Sequence, residues 1–226
     1  GLANGMGNLH NARRARAGIV NIVGDQATYH RPFDAPLTAD TEGMARTVSH
    51  WVRTSTDVAE VGRDAAVAVQ NARAVSGQIS TLILPADASW NPGGLVADPL
   101  PVPAAPPIDP HAVENVARVL RSNRNVLILL ADQATLAPSQ LLAWRVAEAT
   151  GAHLLATYTN GHMQRGRGRL ALERVPYGTD AAIQALSQYK HIVLVNAKAP
   201  VGFFAYPGKP STQYPSNAQI HVLSRF

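Results

Sequence analysis

The chain has 226 residues, 46% hydrophobic and 15% charged, with no cysteine and a formal charge of +5. That length suits one large or two ordinary domains, the apolar content excludes a disordered chain, and the missing cysteine excludes disulfides, thiol catalysis and cysteine-based zinc sites. No apolar run approaches the roughly 18 to 20 residues of a membrane span, and the N-terminus does not read as a secretion signal, so a soluble, cytoplasmic chain without membrane association is expected.

The chain opens on Gly1-Leu2-Ala3-Asn4-Gly5-Met6-Gly7-Asn8-Leu9, where Ala3 to Arg16 can form a helix although glycines interrupt it. Each glycine costs about 1 kcal/mol against alanine inside a helix, so their small size must serve either close packing or a binding turn. The apolar run Ile19 to Val23, punctuated by Gly24-Asp25, predicts a buried strand. Tyr29-His30-Arg31 follows it, in the loop where sheets of this kind place active residues. His30 is a candidate general acid or base, with an ordinary surface-loop histidine as the alternative.

A second helix is expected from Asp57 to Ala74, with Thr56 as its cap and Val58, Val61, Ala65, Val69 and Ala72 on its apolar face. Ile79 to Leu84 reads as another short buried strand. Between Asn91 and Pro110 lie Pro92, Pro99, Pro101, Pro103, Pro106, Pro107 and Pro110, which exclude a continuous helix or central strand. This stretch predicts a semi-rigid linker over residues 91–109, with one unit at 1–90 and another at 110–226.

Beyond the linker, Asp109 caps a helix that starts at Pro110 and turns Val113, Val116, Ala117 and Leu120 to a core. Asn125 to Leu130 is a strand, Ser139 to Thr150 a helix closed by Gly151, and His153 to Ala156 the next strand. Thr179 is expected to cap a helix through Tyr189, with strands at His191 to Val195 and Gln219 to Leu223. Apolar strands alternating with helices imply two parallel-sheet α/β units, the second Rossmann-like.

Other site readings are weaker. The histidines show no spacing that would put two ligands on one helix face, so no metal site is expected in the chain. Arg13, Arg14 and Arg16, and Arg165, Arg167 and Arg169, cluster without interleaved aromatic residues, and nucleic acid is not an expected partner. The second arginine set, in the stretch Gly161 to Arg169, could hold an anion or be plain basic surface. Ala131-Asp132-Gln133-Ala134-Thr135 lacks the glycine pattern that brings a backbone up to a pyrophosphate. Ala197 to Pro210, with Phe203, Phe204 and Tyr206, can either cover a partner surface or pack on its own sheet.

The order of these features resembles a known family. A Gly-x-x-Asn turn into a small-residue helix, a strand ending in Gly24-Asp25, then Asp34-Ala35, Asp40, Gly43 and Arg46, and finally Thr81 to Leu84 before Pro85 and Asp87, is similar to the pyrimidine-binding domain of thiamine-diphosphate-dependent enzymes. The acetolactate synthase large subunit and benzoylformate decarboxylase group is the nearest in pattern. The resemblance continues through the linker into what looks like that family's central domain.

It implies a fragment holding part of the pyrimidine-binding domain and most of the central domain, with Gly1, Leu2, Ala3 and Asn4 as the pyrimidine-side cofactor turn. It implies a parent that uses thiamine diphosphate and Mg²⁺ to decarboxylate or ligate a 2-oxoacid, as a lyase or transferase assembled as a homodimer or tetramer. The family's activating glutamate would lie upstream of Gly1, and its Gly-Asp-Gly metal motif has no counterpart here, so the fragment alone is expected to be inactive. Two departures stand out: Pro36-Leu37-Thr38 replaces a Phe-Gln-Glu run, and Gly18 replaces a proline. FAD, carried by some central domains, has no visible fingerprint. The alternatives are a non-catalytic structural or interaction module, or a nucleotide-binding α/β protein.

Overall fold

A computed structural model describes residues 1–225, which divide into two compact units, Gly1–Ala105 and the chain from Pro106 onward. The first unit begins with helix α1 (Leu2–Arg14) and strand β1 (Ile19–Asp25). Helix α2 (Thr41–Val48), strand β2 (Trp51–Thr54), helix α3 (Val61–Ala72), strand β3 (Ile79–Pro85) and the short helix α4 (Ala86–Trp90) follow. The three strands are parallel in the order β1-β3-β2, so the last strand in sequence is central. The chain steps over the β3 position on its way to β2 and then returns, and right-handed crossovers therefore place α2 and α3 on opposite faces.

Position in the sheet decides burial. β3 is covered on both faces, with Ile79 and Ile83 fully buried and Leu82 nearly so, as its continuous apolar run requires. β1 lies at the edge and alternates: Val20, Ile22 and Gly24 are exposed, whereas Ile19, Asn21, Val23 and Asp25 are half-buried. A polar chain runs under α2, where Asn21 donates to Thr81 Oγ1 at 3.1 Å and the buried hydroxyls of Thr81 and Ser49 lie 2.6 Å apart.

The expected second helix differs in two respects. Asp57, not Thr56, supplies the cap, accepting from Ala59 N at 2.9 Å at the head of a 3₁₀ turn (Val58–Glu60) that precedes α3. The buried face of α3 is Asp64, Ala68 and Ala72, and Val69 is exposed. Small residues face the sheet because the contact is close, and Asp64 is tolerated there because Arg53 pairs with it at 3.1 Å. Helix α2 and strand β2, too short to show a period of their own, were not foreseen.

In the second unit, helix α5 (Pro110–Ser122) leads to strand β4 (Val126–Leu130), helix α6 (Ala137–Thr150) and strands β5 (His153–Ala156) and β6 (Glu173–Arg174). Helix α7 (Thr179–Leu186) and strands β7 (His191–Val195) and β8 (Gln219–Ser224) complete it. The parallel sheet has the order β6-β5-β4-β7-β8. Strand β4 feeds two cores with alternate residues: Val126, Ile128 and Leu130 join α5 and α6 on one face, and Leu127 and Leu129 join α7 on the other.

The caps of α5 and α6 match expectation. Asp109 accepts from His111 N at 2.9 Å, and Gly151 closes α6 at φ +72°. Val119 joins Val116 and Leu120 in the core of α5, whereas Val113 is exposed. Thr179 is the buried first residue of α7 rather than its cap; Gly178 holds the cap position and offers no side chain. That helix ends at Leu186, before the expected Tyr189, whose side chain is buried in the loop beyond.

Candidate functional site

In the first unit the chemistry collects at the carboxyl end of the sheet. Helix α1, with 13 residues, is about 20 Å long at 1.5 Å per residue, close to the length of the strand it precedes. Its C-terminal end is tied to that of α2, because Arg13 Nη1 donates to Thr47 O at 3.1 Å. The N-termini of α1 and α2 therefore share one end of the unit with the loop that leaves Asp25. Gly1 to Asn4, which the sequence suggested as a turn, are the cap and first turn of α1: Asn4 N donates to Gly1 O at 3.2 Å, and no side chain caps this end. Gly1, Ala3 and Asn4 are exposed and Leu2 is half-buried.

The loop after β1 is held by carboxylates. Asp25, with its side chain 6% exposed, pairs with Arg31 and accepts from Gln26 N at 2.8 Å. Asp87, at the start of α4, accepts from both the backbone N (3.0 Å) and the hydroxyl of Thr28, and these bonds hold its carboxyl below the usual range. Glu42 in α2 accepts from Thr54 Oγ1 at 2.5 Å and Arg46 Nη2 at 2.8 Å, which likewise lower it, the Thr54 bond most. Asp87 and Glu42 thus stay ionised near neutral pH and cannot act there as proton donors. Both fix structure.

His30 sits on this pinned loop, exposed, with its ring 6.2 Å from that of Phe33. Among the described residues no carboxylate or carbonyl is hydrogen-bonded to the ring. In the segment that departs from the resembled pattern, Leu37 is 96% exposed, at φ +72°, whereas Thr38 is half-buried. Gly18 has a concrete reason to be glycine, since a Cβ there would stand 2.5 Å from Ala72 O. Sequence reasoning missed the Thr28–Asp87 clasp and the Glu42–Thr54 bond; the one available signal was an acid just past the end of a strand. A shallow cleft beside β2, lined by Trp51, Arg53, Glu60, Arg63, Asp64 and Val67, is internally neutralised, with Arg53 paired to Asp64 and Arg63 to Glu60 at 3.3 Å.

In the second unit the connection after β4 is filled. Residues Asp132–Thr135 form a 3₁₀ turn, and the fully buried Thr135 hydroxyl shares its one proton between Asp132 O and His162 O. Gln140 and Gln164 lace this turn to the arginine-bearing loop: Gln140 Nε2 donates to Gln164 O at 3.0 Å, and Gln164 Oε1 accepts from Ala137 N at 2.7 Å and Arg169 Nη1 at 2.9 Å. One arginine of the suggested anion loop is therefore engaged in closing the loop itself. Tyr158, Tyr177, Phe203 and Phe204 cluster over the ends of β5, β6 and β7, ring against ring at 4.6 to 6.4 Å.

This pairing of a pyrimidine-domain-like sheet with a second α/β unit defines a class, and the comparisons agree with it. No family model matches the chain. A Mycobacterium tuberculosis protein provisionally assigned as an acetolactate synthase large subunit, IlvX, is 46% identical over 99% of this chain. The chain covers 43% of that relative's length. Among solved structures, a provisionally assigned thiamin diphosphate-dependent enzyme from Mycobacterium smegmatis superposes with TM-score 0.76 at 21% identity, over 96% of this chain and 42% of its own.

The thiamine diphosphate-dependent 4-hydroxybenzoylformate decarboxylase of Rhodococcus jostii RHA1 gives TM-score 0.77 at 19% identity over 97% of this chain and 42% of its own. Benzoylformate decarboxylase from Polynucleobacter necessarius gives 0.69 at 20% identity over 97% and 41%. These three share the fold. The chain is thus similar in sequence to an acetolactate synthase large subunit-like protein and shares its fold with thiamine-diphosphate-dependent enzymes, and it spans less than half the length of each of them.

The donor set bears on how much of the cofactor this chain could hold. Among the described residues no three histidine, aspartate or glutamate side chains gather as metal ligands, so a metal-bridged diphosphate does not fit the residues present. No helix among the described residues is long and apolar enough to cross a membrane.

Proposed function

We propose that this chain is the pyrimidine-side and central portion of a thiamine-diphosphate-dependent enzyme that decarboxylates or ligates a 2-oxoacid, and that it is inactive by itself. The observation that carries the reading is the 46% identity, sustained over 99% of the chain, to the mycobacterial relative. In such chemistry the cofactor, when bound, supplies the electron sink; protein groups orient it and exclude water. On this reading Gly1, Leu2, Ala3 and Asn4 edge the pyrimidine side, and His30 reaches the oxoacid as a proton carrier. Mg²⁺ and the diphosphate belong to segments outside this chain. Residues 1–90 and 110–226 act as two domains linked by 91–109, and the lack of cysteine suits a reducing cytoplasm. The test is CO₂ release from pyruvate and from benzoylformate by the full-length protein loaded with thiamine diphosphate and Mg²⁺. Turnover of either supports the reading, and a loaded enzyme that turns over neither opposes it.

We further propose that α1 and the exposed side of β1 form the face through which the enzyme self-associates as a homodimer or tetramer. No residue of α1 is buried. A side chain at Gly1 or Gly7 would meet nothing within 4 Å, and at Gly5 only Leu9 of the same helix. Packing inside this chain therefore does not use their small size, although each costs helix stability. Gly7→Leu in the full-length protein should weaken both self-association, read by light scattering, and cofactor retention. An assembly that stays intact and fully loaded would refute this interface.

A further inference from the structure

Helix α5 and the edge strand β8 are joined through a polar relay that is independent of the cofactor-side reading. Arg118 Nη2 donates to Asn115 Oδ1 at 3.2 Å, Asn115 Nδ2 lies 3.5 Å from His221 Nδ1, and His221 Nε2 lies 3.2 Å from His191 Nδ1. The two half-buried imidazoles stack, with centroids 5.4 Å apart at 28°. His191 lies two residues before Val193, a member of the core under α5, so the pair occupies the space between the outer strands and that helix.

The direction of the relay is forced. A guanidinium has only donors, so Asn115 turns its oxygen to Arg118 and its amide nitrogen to His221. An amide nitrogen also only donates, so His221 Nδ1 must be bare and its proton must sit on Nε2. That proton is donated to His191 Nδ1, which must be bare in turn. This pattern needs His221 neutral, because a second proton, on its Nδ1, sets a donor against the Asn115 amide.

The groups around the pair do not compensate. From α5 the charge nearest the relay is the cation Arg118; Glu114, on the same helix, lies 3.9 Å from His111 on an exposed flank. Strands β7 and β8 contribute no ionisable side chain in this layer besides the two histidines. Among the described residues no carboxylate forms an ion pair with either ring. Burial, and then the neighbouring His191, hold His221 below the ordinary histidine range.

We propose that this relay is an acid-sensitive latch: with His221 neutral it clamps β8 to α5 and to the sheet, and uptake of a second proton by that ring releases the edge strand. The sign follows from the neutral requirement. Above the ordinary histidine value of 6.5 the latch is intact; as pH falls below it, the released state takes up the proton first and the clamp is lost.

The test is amide hydrogen exchange of this chain at about pH 7.5 and about pH 5.5, corrected for intrinsic rates, comparing β8 with the interior strand β4. Protection of β8 should fall relative to that of β4 between the two pH values, because proton uptake favours the opened strand. Asn115→Asp offers a carboxylate to a protonated His221 and should retain β8 protection at the lower pH. His221→Gln, which removes the ring held below its ordinary range and cannot be charged, should also flatten the dependence. Parallel behaviour of β4 and β8 in the wild type, or an unchanged acid loss in both variants, would overturn the latch.

Discussion

Asp25 shows how a single side chain fixes the loop that carries His30. Its carboxylate is nearly buried, and Arg31 supplies the cation that makes that burial tolerable. Replacing Arg31 with Met should cost the first unit about 1–2 kcal/mol in a urea titration, below the loss at a fully buried pair because Arg31 is 39% exposed. Glu42 gives a pH signature. Its folded value lies below 4.5, so the unfolded chain binds the proton first as pH falls; its contribution is complete above that value and disappears through the depressed one. Acid unfolding of the first unit should therefore be less steep in Glu42→Gln than in wild type, and identical slopes would remove Glu42 from the account. Neither contact could be read from the sequence, and Thr28 and Asp87 stand 59 positions apart. Only the fold brings such partners together.

Among the elements, those with end signals were legible and those without were not. Asp109-Pro110 and Gly151 mark α5 and α6 because capping chemistry is local. Helix α2 and strand β2 are short and partly polar, and their existence depends on packing against β3. Of the apolar face expected for α3, Ala72 is buried and Val58, Val61 and Ala65 are half-buried, but Val69 is exposed, and Asp64 and Ala68 take buried positions that a hydrophobic pattern does not single out. Close approach governs the proline-rich segment, part of which lies along α3 within the first unit. Gln70 Nε2 donates to Pro101 O at 2.7 Å, and a Cβ on Gly62 would stand 2.2 Å from Leu95 O. Gly62→Val should lift the segment, increasing proteolytic cleavage across residues 92–101 several-fold while leaving the second unit's melting unchanged. Cleavage at the wild-type rate would show that the segment does not depend on this contact.

For the molecule as a whole, the alternation of apolar strands and helices was enough to anticipate two parallel α/β units, and the order of features along the chain carried the resemblance to thiamine-diphosphate-dependent enzymes. The strand orders were not legible, because the sequence does not say that β3 inserts between β1 and β2 or that β7 crosses to the far side of β4. The candidate site was legible only as a region. Gly1 to Asn4 and His30 fall on one end of the first unit, but the carboxylates that pin that end emerge from tertiary contacts. On the proposed reading, this chain contributes one side of a cofactor site whose metal and diphosphate contacts lie elsewhere. Its most direct test is calorimetric titration of thiamine diphosphate with Mg²⁺ into this chain and, in parallel, into the full-length protein. The account predicts no tight binding by the chain and tight binding by the full-length protein; submicromolar affinity in the isolated chain would contradict it.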